Sequence, residues 1–452
     1  MRHHLTTVLC SVVLYALCAI APSACGGADQ PAPVGPNILV IVADDLGFAD
    51  VGSAVADSGI AGSGAASSGL RDAPRTPRLD ALLAESARPR TYRTAPCCTP
   101  ARAGLLTGVD PGKLGLWKNL SARDGGGLRA SATTLAEHLQ AAGWSTTLIG
   151  KWHLGHERAE SRPLAQGFER FRGVLGGWID PQTRRRGAEP DWWRDEAQVE
   201  QLGYAPQMMV EEARRALRER DPNKPFFLWF ASTLPHTPLH APPGVQLDPQ
   251  SPNLNRDAMR AMVEALDAQV GALLDELDQQ QVARDTIVVF VSDNGGDREY
   301  SADNGTLREG KFTAYEGGVR THCAVRWPAR VAAGERALDL SYLDLTPTLC
   351  ALARVPAQGH SFDGRDVSAA LLEGAAVAAL PQRYVCERVD ERRACVVEGD
   401  RKLVRVVSRT GLRSTLLFDL AADPTERVEL YPADDPRTPL WLQMLADLEA
   451  WR

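Results

Sequence analysis

Asn37-Ile38-Leu39-Val40-Ile41-Val42-Ala43-Asp44-Asp45 is an unbroken aliphatic run, rich in β-branched residues, that stops abruptly at two carboxylates. It shows no polar alternation, so it reads as a strand buried on both faces, as strands are in parallel sheets covered by helices. Three further segments repeat the design. Thr146-Thr147-Leu148-Ile149 leads into Gly150-Lys151-Trp152-His153, Phe226-Phe227-Leu228-Trp229-Phe230 leads toward Pro235-His236, and Ile287-Val288-Val289-Phe290-Val291 leads into Asp293-Asn294. Helical patterns lie between them at residues 79–85, 133–142 and 259–277. In the last, Met262, Leu266, Val270, Leu273 and Leu277 recur at helical spacing. The alternation predicts an α/β core with a mostly parallel or mixed central sheet flanked by helices. In open sheets of this kind ligands gather beyond the carboxyl ends of the strands, so the four loops converge on one crevice.

Past Pro356 the pattern changes to shorter, more polar runs at residues 402–407 and 414–418, followed by a helical stretch at 440–451. These predict a small antiparallel sheet with one helix. The expected organisation is a signal peptide and linker over residues 1–34, a catalytic domain over 35–355 and a C-terminal α+β subdomain over 356–452. In the first of these, Arg2, His3 and His4 precede the apolar run Leu5 to Ile20 and then small residues to Gly27, the pattern of an export signal. Cys25 after Ser23-Ala24 is placed as in a bacterial lipoprotein cleavage site, with Pro22 where a Leu is usual. The expected location is periplasmic or extracellular, either free or lipid-anchored at Cys25. No transmembrane segment is expected, because no later stretch approaches the ~20 apolar residues a span needs.

The 452-residue chain is 44% hydrophobic and 24% charged with a net charge of -7, so it lacks the basic field that nucleic acid would require. Of nine cysteines, Cys97, Cys98, Cys323, Cys350, Cys386 and Cys395 lie beyond the export segment. An oxidising compartment permits disulfides, and Cys386 and Cys395 flank a short polar stretch that a bridge or two free thiols would fit equally.

Asp44-Asp45 and Asp293-Asn294 gather three carboxylates and an amide oxygen at two converging strand ends. Oxygen ligands suit a hard divalent cation, whose charge relieves the repulsion among the acids. Either pair alone would pass as a turn or helix cap. The segment Cys98-Thr99-Pro100-Ala101-Arg102 through Gly108 reads as a helix start, with Pro100 in the first turn, Thr99 able to cap and Gly108 able to terminate. Free N–H groups there favour an anion, which makes Cys98 either a low-pKa nucleophile or an ordinary structural cysteine.

Cys98-Thr99-Pro100-Ala101-Arg102 also resembles the Cys-x-Pro-x-Arg signature of the type I sulfatases, in which the cysteine is oxidised to formylglycine. The resemblance continues in order through Pro36-Asn37-Ile38 to Gly47, Gly150-Lys151-Trp152-His153-Leu154-Gly155, Pro235-His236-Thr237-Pro238, Ser292-Asp293-Asn294-Gly295, Gly310-Lys311 with Glu316-Gly317-Gly318-Val319-Arg320, and Leu417-Phe418-Asp419-Leu420 with Asp423-Pro424 and Glu426. It covers residues 37–430. It implies an alkaline phosphatase-like fold, hydrolysis of aryl or carbohydrate sulfate monoesters, and one calcium ion held by Asp44, Asp45, Asp293, Asn294 and modified Cys98. Arg102, Lys151, His153, His236 and Lys311 complete the implied site. Lys151 and Lys311 would hold sulfate oxygens, His236 would donate to sulfate or the leaving alcohol, Arg102 would steady the formylglycine hydrate, and His153 would act as base. The implied partners are a sulfated small molecule or glycan and a formylglycine-generating maturation enzyme.

Ala101 stands where many members of that family have Ser, which bears on how readily Cys98 is modified. His156 and His240 lie beside the motifs as candidate substrate contacts, and Cys97 reads as a packing neighbour of Cys98. The Gly/Ser-rich stretch 52–69 and the region of Trp178, Arg184-Arg185-Arg186, Trp192 and Trp193 match no family pattern, and each reads either as a shaper of substrate choice or as an ordinary surface loop. Two other readings fit the same fold. A phosphate or phosphonate monoester hydrolase would ordinarily show a Ser or Thr nucleophile and more metal ligands. A non-catalytic sulfoglycan-binding protein would show decay among the site residues.

Overall fold

The computed structural model describes residues 35–52, 73–121, 124–357, 361–388 and 391–446. The export segment with Cys25, and the Gly/Ser-rich stretch beyond Gly52, lie outside them. An eleven-stranded sheet carries the core. Its main strands are β1 (Asn37–Ala43), β2 (Ala87–Arg93), β3 (Ser145–Lys151), β4 (Arg170–Val174), β5 (Phe226–Ala231), β6 (Thr286–Ser292), β7 (Cys323–Arg326) and β8 (Gly334–Ser341). In space they run β2-β7-β6-β1-β5-β3-β4, with β8 paired to β2 and short two-residue strands completing the sheet.

β1 lies at the centre with parallel neighbours, β6 on one side and β5 on the other, while β7 is antiparallel to β6, so the sheet is mixed. Its composition explains the position. Ile38, Val40 and Val42 join one apolar cluster and Leu39, Ile41 and Ala43 join the other, so successive side chains fill opposite faces. Register then aligns the strand ends. Ala43 pairs with Ser292, Val42 with Ala231, and Gly150 with Ala231. Asp44, Asp293 and Lys151, each at or one step past these pairs, therefore arrive at the same edge.

The helices run α1 (Pro77–Ala84), α2 (Cys98–Thr107), α3 (Leu135–Ala141), α4 (Ala205–Arg218) and α5 (Leu254–Gln279). α3 opens one residue later than Thr134, whose side chain accepts from Glu137 N at 3.1 Å while Glu137 Oε2 accepts from Thr134 N at 2.7 Å, a reciprocal cap. Among the described residues no helix is long and apolar enough to cross a membrane.

The C-terminal segment forms a separate four-stranded antiparallel sheet, β9 (Gln382–Arg388), β10 (Glu391–Glu398), β11 (Arg401–Ser408) and β12 (Arg413–Asp419), in chain order. Of the helix expected over 440–451, the described residues form Thr438–Met444, and residues 447–451 lie outside them. Pro439 sits in its first turn, where the missing N–H costs nothing, and draws the start forward. Cys386 and Cys395 are free, like every described cysteine. Cys386 lies opposite Arg393 and Cys395 opposite Tyr384, so the two thiols are offset rather than paired.

Candidate active site

The segments that follow β1, β3, β5 and β6 at the carboxyl edge of the sheet each contribute charged or titratable side chains. Asp44 and Asp45 follow β1, and both are buried; Asp45 is in the left-handed region at φ +66°. Its N–H donates to Asp293 Oδ1 at 3.2 Å, which ties the ends of β1 and β6 together. Lys151 closes β3 and donates to both oxygens of Asp44, at 2.8 and 2.7 Å. Gly150 before it has φ +112°, and a Cβ there would overlap the Ala231 carbonyl, so this position requires glycine. Lys311, from the loop after β6, donates to Asp45 Oδ2 at 2.6 Å.

Cys98 opens α2 with its Sγ 3.7 Å from Asp44 Oδ1 and 3.9 Å from Asp45 Oδ1. One turn on, Arg102 donates from Nε to Asp293 Oδ2 at 3.0 Å and from Nη1 to Lys151 O at 3.0 Å. Thr99 does not cap this helix. Cys97 occupies the cap position in an extended conformation without a side-chain bond, and Thr99 lies inside the first turn. There its hydroxyl donates to His153 O at 3.0 Å and accepts from Leu120 N at 3.1 Å, which fastens the helix start to the loop carrying His153.

His153 is buried, with Nε2 3.0 Å from Leu120 O and with Nδ1 lacking a partner in the structure. Burial, and then Lys151, hold its pKa well below the ordinary value, so it is neutral at physiological pH. His236 follows β5, with Nδ1 2.7 Å from Thr237 O and Nε2 3.6 Å from Asp45 Oδ2. Burial opposes its charged form, but Asp45 prevails and raises the pKa. Burial likewise pushes the Cys98 thiol up, and Lys151 and Lys311 outweigh it, leaving the thiol below its ordinary value. Burial also pushes the Asp45 carboxyl up, and Lys311, His236 and Lys151 hold it well below the usual carboxylate range.

The sequence-derived site residues thus share one buried cluster, in which Asp44, Asp45 and Asp293 face Arg102, Lys151 and Lys311. The carboxylates and the Asn294 amide oxygen suit a hard cation. Asp44, Asp45, Cys98 and His236 offer ligand atoms within 4.8 Å of one another, and Asn294 Oδ1 is buried without a partner while its Nδ2 donates to Asp45 Oδ1 at 2.7 Å. An orphaned buried oxygen among carboxylates is costly unless a cation meets it.

Of the two flanking histidines, His240 has both ring nitrogens engaged, with Tyr204 Oη at 2.7 Å and Pro238 O at 2.8 Å, while His156 lies 3.5 Å from Glu157. Cys97 is buried at the α2 cap, where burial and then Cys386 raise its pKa. Gly177 had no sequence signal. A Cβ on it would stand 2.5 Å from His153 Nε2, and the half-exposed Trp178 follows it at the rim. Gly177→Ala is therefore expected to tilt the imidazole and lower kcat by about 10- to 100-fold with little loss of thermal stability. Steady-state rates set beside a melting curve check this, and an unchanged kcat would sink it.

The sulfatase family model matches residues 36–355. The chain belongs to the sulfatase family. It is 32% identical to N-acetylgalactosamine-6-sulfatase of Homo sapiens over 375 residues, covering 77% of this chain and 67% of that one. Against arylsulfatase A of Homo sapiens the identity is 30%, over 92% of this chain and 87% of the relative. Its fold matches the solved structure of Ps i-CgsB in complex with k-i-k-neocarrahexaose at a TM-score of 0.78 and 27% identity, covering 92% and 93% of the two chains. This sulfatase is accordingly an enzyme that hydrolyses sulfate esters.

Proposed function

We propose that this sulfatase cleaves aryl or carbohydrate sulfate monoesters with a formylglycine formed from Cys98 and one calcium ion. The observation that carries the reading is the position of Cys98 at a helix start, 3.7 Å from Asp44 and enclosed by buried Lys151, Lys311 and Arg102. The neighbour solved with an oligosaccharide supports a carbohydrate ester among the candidates. Asp44, Asp45, Asp293, Asn294 and modified Cys98 would hold the calcium, which supplies Lewis-acid charge to the sulfate. A hydrated formylglycine at position 98 would supply two hydroxyls on one carbon, one as a nucleophile toward sulfur and one whose deprotonation would release the sulfate.

The chain's own residues do the rest. Lys151 and Lys311 meet the oxygens on which charge develops, and because Asp44 and Asp45 already fix them they need no reorganisation. The charged form of His236, favoured by Asp45, donates to the sulfate or to the departing alcohol oxygen. His153, neutral and with a vacant Nδ1, accepts the proton of the second hydroxyl. Arg102 holds Asp293 and the start of α2 in register. Residues 35–355 would form the catalytic domain and 356–452 its subdomain, exported through residues 1–34 and then either free or lipid-anchored at Cys25. A formylglycine-generating enzyme would act on Cys98 before this buried site closes.

Mass spectrometry of the Cys98 peptide from the native host is expected to show the aldehyde, and Cys98→Ser is expected to abolish multiple turnover of an aryl sulfate. A bare thiol in active enzyme, or undiminished steady-state turnover by the Ser variant, would overturn the mechanism. Preference for the matched aryl phosphate by orders of magnitude would replace the substrate class.

A further inference from the structure

We propose that Arg388 binds a second anionic group of the substrate, a carboxylate or a further sulfate, carried on the same molecule as the scissile ester. The inference rests on the reading that Lys311 meets the scissile sulfate.

Phe312 connects the two cations. It follows Lys311 directly and is in the left-handed region at φ +66°. Its N–H donates to Pro96 O at 2.7 Å, just before α2, and its carbonyl accepts from Arg393 Nη1 of the C-terminal sheet at 3.2 Å. Bonds on both sides hold the backbone in this uncommon conformation and so fix where the ring stands. Lys311 Nζ lies 5.1 Å from the centre of that ring, and Arg388 Cζ lies 5.2 Å from the same centre. The ammonium inside the pocket and the guanidinium outside it are therefore no farther apart than the sum of those distances.

Arg388 is the last residue of β9, and its side chain is 54% exposed. Among the described residues it forms one ion pair, with Glu299, itself 67% exposed and at 3.9 Å, the outer limit of such a contact. A pair so exposed and so long contributes little, and it leaves most of the five donors of the guanidinium unused. Contact with the Phe312 face restrains the group without consuming those donors. A planar fork of this kind matches the paired oxygens of a carboxylate or sulfate. The catalytic cluster has one set of cations for one ester, so a separate cation at its rim fits a substrate that carries anionic charge at two points.

Three aryl esters test this: phenyl sulfate, 3-carboxyphenyl sulfate and the bis-sulfate of 1,3-dihydroxybenzene. For each enzyme the quantity read is kcat/KM for a doubly anionic ester divided by that for phenyl sulfate. Arg388→Ala is expected to lower this ratio by about tenfold, mainly through KM, as loss of a charge-assisted contact predicts. Glu299→Gln, which removes the competing carboxylate, is expected to raise it. The ester whose ratio responds distinguishes a carboxylate from a second sulfate. A ratio unmoved in Arg388→Ala, or lowered alike by both variants, would overturn the proposal. Wild-type enzyme that hydrolyses neither these three esters nor a sulfated monosaccharide would instead overturn the catalytic reading beneath it.

Discussion

Lys151→Ala is expected to lower kcat/KM for a sulfate ester by about a thousandfold, the upper range for loss of one fixed donor to developing charge. The magnitude follows from where the ammonium is held. Lys151 is buried and donates to both oxygens of Asp44, so its charge is desolvated and aimed before substrate arrives. Truncation removes that charge and leaves Asp44, beside the calcium proposed for it, with Arg102 Nη2 at 3.5 Å as its one remaining ion-pair partner among the described residues. Two losses then coincide: the sulfate oxygens lose a donor, and the net positive charge that faces the anion falls by one. Lys151→Met, which keeps the stem, is expected to fall equally far, because charge rather than volume is what the site loses. Steady-state kinetics on both variants, with a melting curve to exclude collapse, check this. Activity within about tenfold of wild type in the Met variant would contradict the role assigned to Lys151.

Much of this arrangement was legible in the chain because burial leaves a compositional trace. β1 is aliphatic from Ile38 to Ala43 since both of its faces are covered, and the acids that follow it stand out for that reason. The same contrast marks Lys151 after β3 and Asp293 after β6, and parallel register turns these separate strand ends into one site. What stayed hidden depends on contacts between distant segments. Thr99 has a capping residue's chemistry, and only the approach of the His153 loop decides that its hydroxyl goes there instead. Gly177 looks like any loop glycine until the His153 ring is found against it. Arg388 carries the signature of any solvated cation, because nothing local records that Phe312 folds beneath it. Glu316, Glu426 and Lys402 are the extreme case, since each is charged and all three are buried together.

Lys402→Met is expected to cost about 3–5 kcal/mol of stability, the range for removing one member of a buried ion pair. Lys402 Nζ lies 2.9 Å from Glu316 Oε1 and 2.8 Å from Glu426 Oε1, and Arg93 Nε donates to Glu316 Oε1 at 2.9 Å. Burial pushes the Glu316 carboxyl up, yet Arg93 and Lys402 hold it well below its ordinary value, so the group is charged inside the protein. Without Lys402, two carboxylates joined through the bond from Glu316 N to Glu426 Oε2, at 2.6 Å, would keep Arg93 as their close ion-pair partner, with Arg320 as a weaker influence on Glu316. The consequence extends beyond stability. Lys402 belongs to β11 of the C-terminal sheet, whereas Glu316 opens the short helix just after Lys311 and Phe312, so the network fastens that sheet to the catalytic loop. The double variant Lys402→Met with Glu426→Gln removes one charge of each sign and is expected to recover about half of the loss, a coupling characteristic of groups in direct contact. Urea denaturation of the single and double variants measures both quantities. A single variant within about 1 kcal/mol of wild type, or a double variant no better than the single, would show that water rather than Lys402 neutralises the pair, and the C-terminal sheet would then need another fastening to the loop that carries Lys311.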